Sequence, residues 1–155
     1  MQTTLTNEPE LVASRDDRRT FQLVLDPGEE AVERMSAFAI EHGVTLASFT
    51  AIGGFEDFSL GFYNLATGGF DEIPFHADQV EVLSLMGEIT RWDDGTPRVH
   101  GHVVVGRRDG TTRGGHLLRG VVRPILIVAL QELGSHHGVD HHVDPQSQPS
   151  MKGTA

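Results

Sequence analysis

The stretch Val99-His100-Gly101-His102-Val103-Val104-Val105, followed by Arg107-Arg108-Asp109-Gly110-Thr111 and Gly114-Gly115-His116, constrains this chain more than any other. β-branched residues dominate its first segment and an Asp-Gly pair punctuates it, so it reads as an antiparallel hairpin. Side chains two apart on a strand point to one face, about 6.6 Å from each other along it, which places His100 and His102 together. The position of His116 depends on register. A two-residue turn centred on Asp109-Gly110 sets His116 opposite Val103, on the wrong face. A three-residue loop, Arg108-Asp109-Gly110 with Gly110 left-handed, sets it directly across from His102, with Cβ atoms about 5 Å apart. A bulge at Gly114-Gly115 restores the same alignment.

A single strand histidine is usually a half-buried, hydrogen-bonded residue. Three in register point to metal. Neutral imidazoles bind zinc, iron and nickel, and a three-histidine set leaves a coordination position open for water, an anion or a substrate. His100, His102 and His116 are therefore the candidate ligands of a divalent ion, with zinc first and iron or nickel as alternatives. The chain has no cysteine, which excludes disulfides and thiolate sites and leaves nine histidines as its nitrogen donors.

At 155 residues one domain is expected. No apolar run reaches the roughly 20 residues of a membrane span, and the polar opening lacks a signal-peptide pattern, so a soluble cytoplasmic protein with no membrane partner is expected. A net charge of −10 opposes indiscriminate binding to nucleic acid. The charge is uneven, however. Between Arg98 and Arg123 six arginines face Asp109 alone, a local +5. Such arginines either protect a sheet edge or hold an anion beside the metal, and Arg113 and Arg119 are the candidates for the second role.

Residues 1–19 are polar, without periodicity, and read as a loose N-terminal arm before a domain over residues 20–134. Residues 20–25 alternate as a strand. Asp26-Pro27-Gly28-Glu29 then reads as a helix start, with Asp26 as N-cap and Glu29 completing a capping box; Val32, Met35, Phe38 and Ala39 form the buried stripe and Gly43 the C-terminal cap. Beyond it strands dominate: residues 45–52 and 58–63 around a Gly53-Gly54 break, a turn at Gly68-Gly69, a long strand over 80–89, a turn at 93–97, and strands over 117–122 and 125–130, with Pro124 suited to an edge or a bulge. Residues 135–155, with His136, His137, His141 and His142, read as a flexible tail able to take up nickel opportunistically.

The order of these pieces resembles the plants-and-prokaryotes-conserved domain, the PPC domain. Phe38-Ala39 with Gly43, residues 48–54 with Leu60-Gly61-Phe62-Tyr63, and residues 81–89 carry the resemblance. Its most specific part is Val99-His100-Gly101-His102, Asp109-Gly110 and Gly114-Gly115-His116-Leu117 with Gly120. The resemblance implies an α+β domain, a mostly antiparallel sheet with one main helix and short additional helical or turn segments, assembled as a homotrimer, with the histidines placed for a metal. Two departures matter. No Arg-Gly-Arg-Pro hook is present, so minor-groove reading of A·T sequence is not carried over. Ile125 and Ile127 stand where the family usually has a threonine and a glutamate.

Three functions compete. In the first, a trimeric domain binds a metal and a small anionic ligand; an enzymatic version needs a general base, for which Glu88 and Asp109 are weak candidates, and no catalytic residue is assigned. In the second, the arginine-rich hairpin makes the chain a DNA-binding or regulatory module. In the third, the histidines only hydrogen-bond at a trimer interface, and acid dissociates the assembly.

Overall fold

The computed structural model describes residues 10–15 and 18–133. Its elements run β1 (Glu10–Arg15), β2 (Arg18–Leu25), α1 (Ala31–Glu41), β3 (Ala47–Asn64), β4 (Gly69–Phe75), β5 (Val80–Arg91), β6 (Pro97–Gly106) and β7 (Thr112–Glu132). Every strand pairing is antiparallel, in the order β1-β2-β7-β6-β5-β3-β4. β7 also pairs with β3, so β3, β5, β6 and β7 close into a hydrogen-bonded ring, leaving β1 and β4 as the edges. Among the described residues α1 is the one helix, and no short additional helical segments accompany it. None is long and apolar enough to cross a membrane.

Helix α1 begins later than Asp26. Its N-cap is Glu30, whose carboxylate accepts hydrogen bonds from the backbone N–H groups of Val32 (3.2 Å) and Glu33 (2.7 Å). The same carboxylate accepts one from Gly120 N–H at 2.8 Å, so the cap also fastens the helix start to β7. Asp26-Pro27-Gly28-Glu29 is instead a turn: Asp26 N–H donates to the Glu29 side chain, while Gly28 N–H donates to Val122 O and Val122 N–H to Glu29 O. The segment is captured by β7 before a helix can start. The C-terminus matches expectation, with Gly43 at φ +65° after the cap residue His42, and Val44 N–H donating to Ala39 O at 2.9 Å.

The core lies between α1 and the sheet. Ala31, Met35, Phe38 and Ala39 are its buried helical face, against Phe21, Leu25, Phe49, Phe55, Phe58, Leu85, Val103, Leu126 and Leu130. Each fully buried phenylalanine or leucine contributes about 1.5–3 kcal/mol, and this cluster supplies the driving force.

Three sequence expectations change. The loose arm over residues 1–19 does not hold for Glu10–Arg15 and Arg18–Arg19, which form a tight hairpin with Arg15 opposite Arg18; backbone ladder bonds need no hydrophobic alternation. The break at Gly53-Gly54 is a bend within one 18-residue strand. A Cβ at Gly53 would lie 2.2 Å from Ile125 O, and one at Gly54 2.2 Å from Arg123 O, so these glycines let β3 and β7 cross in near contact. Likewise residues 112–132 form one strand, and Pro124 sits at the register shift between the pairs Gly53–Leu126 and Phe55–Val122. The strand β4 is not foreseen in the sequence. The histidine tail over residues 135–155 lies outside the described residues.

A bidentate ion pair ties the start of β2 to the end of β7. Arg19 donates to both carboxylate oxygens of Glu132, at 2.7 and 2.6 Å, and to His42 O at 2.9 Å. Hydrogen bonding from Arg19 holds the Glu132 carboxyl below its ordinary value. The resulting stability is complete above the usual value of 4.5 and is lost as the pH falls through the lowered one. Glu132→Gln is expected to cost about 1–2 kcal/mol at pH 7, the partial exposure of Arg19 keeping the figure low. Urea unfolding at pH 7 and pH 3 checks it: the gap between wild type and variant should shrink in acid.

Candidate metal centre

The hairpin of β6 and β7 takes the register that joins the histidines. His102 pairs with His116, Val103 with Gly115 and Gly106 with Thr112. The loop is the three-residue one: Arg107 N–H donates to Thr111 O, Gly110 N–H to Arg107 O, and Gly110 has φ +82°. Asp109 holds this loop, accepting from Thr111 N–H (2.9 Å) and Thr111 Oγ1 (2.6 Å), which lowers its carboxyl below the usual range. It is a turn residue, committed there rather than to a general-base role. No bulge at Gly114-Gly115 is needed.

Ring centroids of His100, His102 and His116 lie 5.0–5.6 Å apart. One ligand nitrogen from each lies within 4.8 Å of the others. A tetrahedral zinc with Zn–N bonds of 2.0–2.1 Å requires nitrogens about 3.3 Å apart, so closing the triangle takes about 1.5 Å of side-chain movement at most. His116 Nδ1 is buried and has no hydrogen-bond partner among the described residues. A buried donor or acceptor without a partner is costly, and an ion in this triangle or a proton acceptor beside it would relieve the cost.

Burial, followed by the neighbouring imidazoles of His100 and His102 and by Arg98, pushes His116 down to about 4. Burial also lowers His100, with Arg98 and His102 adding to it and Glu88 opposing. Both are neutral at pH 7, the form in which imidazole binds a metal. Because both folded values lie below the ordinary 6.5, the stability linked to these neutral rings is complete above pH 6.5 and drains as the pH falls towards 4. Chelator-treated protein is accordingly expected to melt at a lower temperature at pH 5 than at pH 7; equal melting temperatures would contradict this.

Several groups frame the triangle. Glu88 pairs with His100 across β5 and β6, and its carboxylate lies 3.7 Å from His100 Nδ1, suited to orienting a ligating ring. Phe70, on β4, packs at 4.5 Å from the His116 ring. It occupies the space left by Gly61, the residue opposite His116, where a Cβ would lie 2.9 Å from the Phe70 ring.

Neither arginine expected to hold an anion is joined to the histidines by a contact. Arg113 pairs with Val105, whose side chain faces the core, and its guanidinium donates to Thr112 O. Arg119 is bound to Asp57 at 3.2 Å. The residue not anticipated is Arg98, whose charge acts on both His100 and His116 and whose guanidinium stacks on Trp92 at 4.8 Å. Its signal was its spacing: Arg98, His100 and His102 alternate onto one face. The local +5 is also partly compensated, since Arg107, Arg119 and Arg123 pair with Asp78, Asp57 and Glu56. Ile125 is exposed and Ile127, opposite Ile52, is half-buried.

The sequence profile of the Plants and Prokaryotes Conserved (PCC) domain matches residues 12–134. The chain belongs to that family. Among solved structures, a plant- and prokaryote-conserved protein from Pyrococcus horikoshii is 28% identical, with a TM-score of 0.72 over 86% of this chain and 87% of that one. A metal-containing protein from Archaeoglobus fulgidus is 27% identical, with a TM-score of 0.69 over 86% of this chain and 88% of that one. One from Ralstonia eutropha JMP134, provisionally labelled DNA-binding, is 26% identical, with a TM-score of 0.69 over 74% and 78%. No curated protein matches the chain. The PPC-type sheet is thus shared across these relatives.

Proposed function

We propose that this PPC-domain protein binds a divalent metal, zinc before iron or nickel, through His100, His102 and His116, and presents its open position to an anionic ligand. The approach of three ligand nitrogens to within 4.8 Å, with His116 Nδ1 buried and unpaired, carries the reading. A relative that contains metal, 27% identical, supports it. Arg98 is the arginine whose charge acts on the imidazoles, helping burial keep His100 and His116 neutral, while Arg119 is held by Asp57. The bound metal would supply Lewis-acid character. Glu88 would orient His100, and Phe70 would screen His116 from water.

Elemental analysis of tag-free protein purified without nickel resin tests the site. Close to one metal per chain, lost in His102→Ala, is the predicted result; no stoichiometric metal, or an unchanged content in that variant, rejects it.

A homotrimer remains part of the proposal, resting on the family resemblance. Ile52 and Ile125 leave apolar surface exposed at the β3–β7 crossing, which assembly would cover. Light scattering should give three times the chain mass. The alternative, a DNA-binding module, draws on the label of the Ralstonia protein and on the arginines of the hairpin. It requires binding to duplex DNA that falls steeply with salt, and absence of binding at low salt rejects it.

A further inference from the structure

Beside the histidines the sheet face opens into a cleft of about 460 Å³, lined chiefly by Phe62, Phe70, Met86, Val104, His102 and His116. That volume falls within the range of small-molecule sites. No lysine, arginine, aspartate or glutamate lines it. Phe62 is 69%, Met86 56% and Val104 43% exposed, so large apolar side chains meet water here, on the side where two candidate ligands stand. The polar side chains of the wall are few: the imidazoles of His102 and His116, with Ser84 and Tyr63.

We infer that this cleft binds a carboxylate carried on an aromatic or branched-alkyl body, with the apolar part against Phe62, Phe70, Met86 and Val104 and the head group towards His102 and His116. The inference rests on the metal reading above, which gives the head group its counter-charge. The wall selects against the other anions. A phosphate or a dicarboxylate brings a second negative charge into a lining without a cationic side chain, and that charge would lose water without gaining a partner. Arg98, the nearest cation by its effect on the rings, is stacked on Trp92 and is not part of the lining. An acetate fits the head position but leaves the apolar wall wet. A phenyl body should therefore gain at least about tenfold in affinity over acetate.

The test is calorimetric titration of the tag-free, zinc-loaded full chain with 3-phenylpropionate, acetate and inorganic phosphate, the zinc content being measured on the same samples. Phenylpropionate is expected to bind at least about tenfold more tightly than acetate or phosphate, and to lose affinity when the zinc is removed by chelator. Phe62→Ser and Met86→Gln, both at exposed positions, should weaken phenylpropionate about fivefold or more while leaving acetate binding and zinc content unchanged. Zinc-loaded protein that binds no phenylpropionate, or binds phosphate or acetate as tightly, overturns the cleft assignment and leaves the metal reading standing. Phe62→Ser that changes the oligomeric mass but not the phenylpropionate affinity overturns it in favour of a second copy in the cleft. Protein that takes up no zinc overturns both.

Discussion

His116→Ala is expected to lower zinc affinity by at least about 100-fold, beyond what loss of a hydrogen-bond partner behind a ligand typically costs. His116 is the ring that couples the two strands of the hairpin: it lies opposite His102, 5.0 Å from the His100 ring by centroid, and its pKa is held at about 4. The metal-free stability should tell a different story. Alanine removes a buried nitrogen that has no partner, and this gain offsets the lost packing against Phe70. The apo variant is expected to stay within about 1 kcal/mol of wild type. Zinc titration against a chromophoric chelator, paired with urea unfolding in chelator, measures both quantities. A variant that keeps its zinc affinity but unfolds much more easily would assign His116 to packing instead.

Gly87→Ala should produce the largest loss of stability, about 3 kcal/mol. Gly87 and Gly101 face each other across β5 and β6, and the Phe49 ring fills the slot they leave. A Cβ on Gly87 would lie 2.0 Å from His100 O, 2.7 Å from the Gly101 Cα and 2.8 Å from Phe49. Two of these neighbours are backbone, so the strands must separate. Gly101 lies between His100 and His102, and the distortion reaches the metal triangle directly. The urea midpoint and the zinc affinity should therefore fall together. A midpoint within the scatter of wild type would show that the strand pair opens more easily than this packing implies.

The histidine register was only narrowed in the sequence, because Asp109-Gly110 suits a two-residue turn as well as the three-residue loop that the structure adopts. Gly110 follows Asp109 in a loop whose residue count sets the pairing, and a left-handed glycine at that position makes the count three. Arg98 was equally available, since it shares the parity of His100 and His102, yet an isolated arginine before a histidine strand gives no chemical signal until its neighbours are placed. The helix start illustrates the opposite case. Asp26-Pro27-Gly28-Glu29 carries every local sign of an N-terminus, but hydrogen bonds from Gly28 and Val122 draw it onto β7, and Glu30 caps instead. The partner that fastens the Glu30 cap, Gly120 N–H, is 90 residues away along the chain and leaves no local trace. Gly53-Gly54 reads as a break for the same reason: the glycines serve a strand crossing rather than a turn. β4 was hidden because Asp71, Glu72 and Pro74 suit an exposed edge, where one side of the ladder faces solvent. With β4 unread, Phe70 had no place beside His116.

X-ray absorption at the metal edge of tag-free protein tests the central claim most directly. Zinc in a first shell of three imidazole nitrogens at about 2.0–2.1 Å, with one further light donor, is the predicted result. A shell of oxygen donors without imidazole, or protein that carries no metal at stoichiometric level, would contradict it.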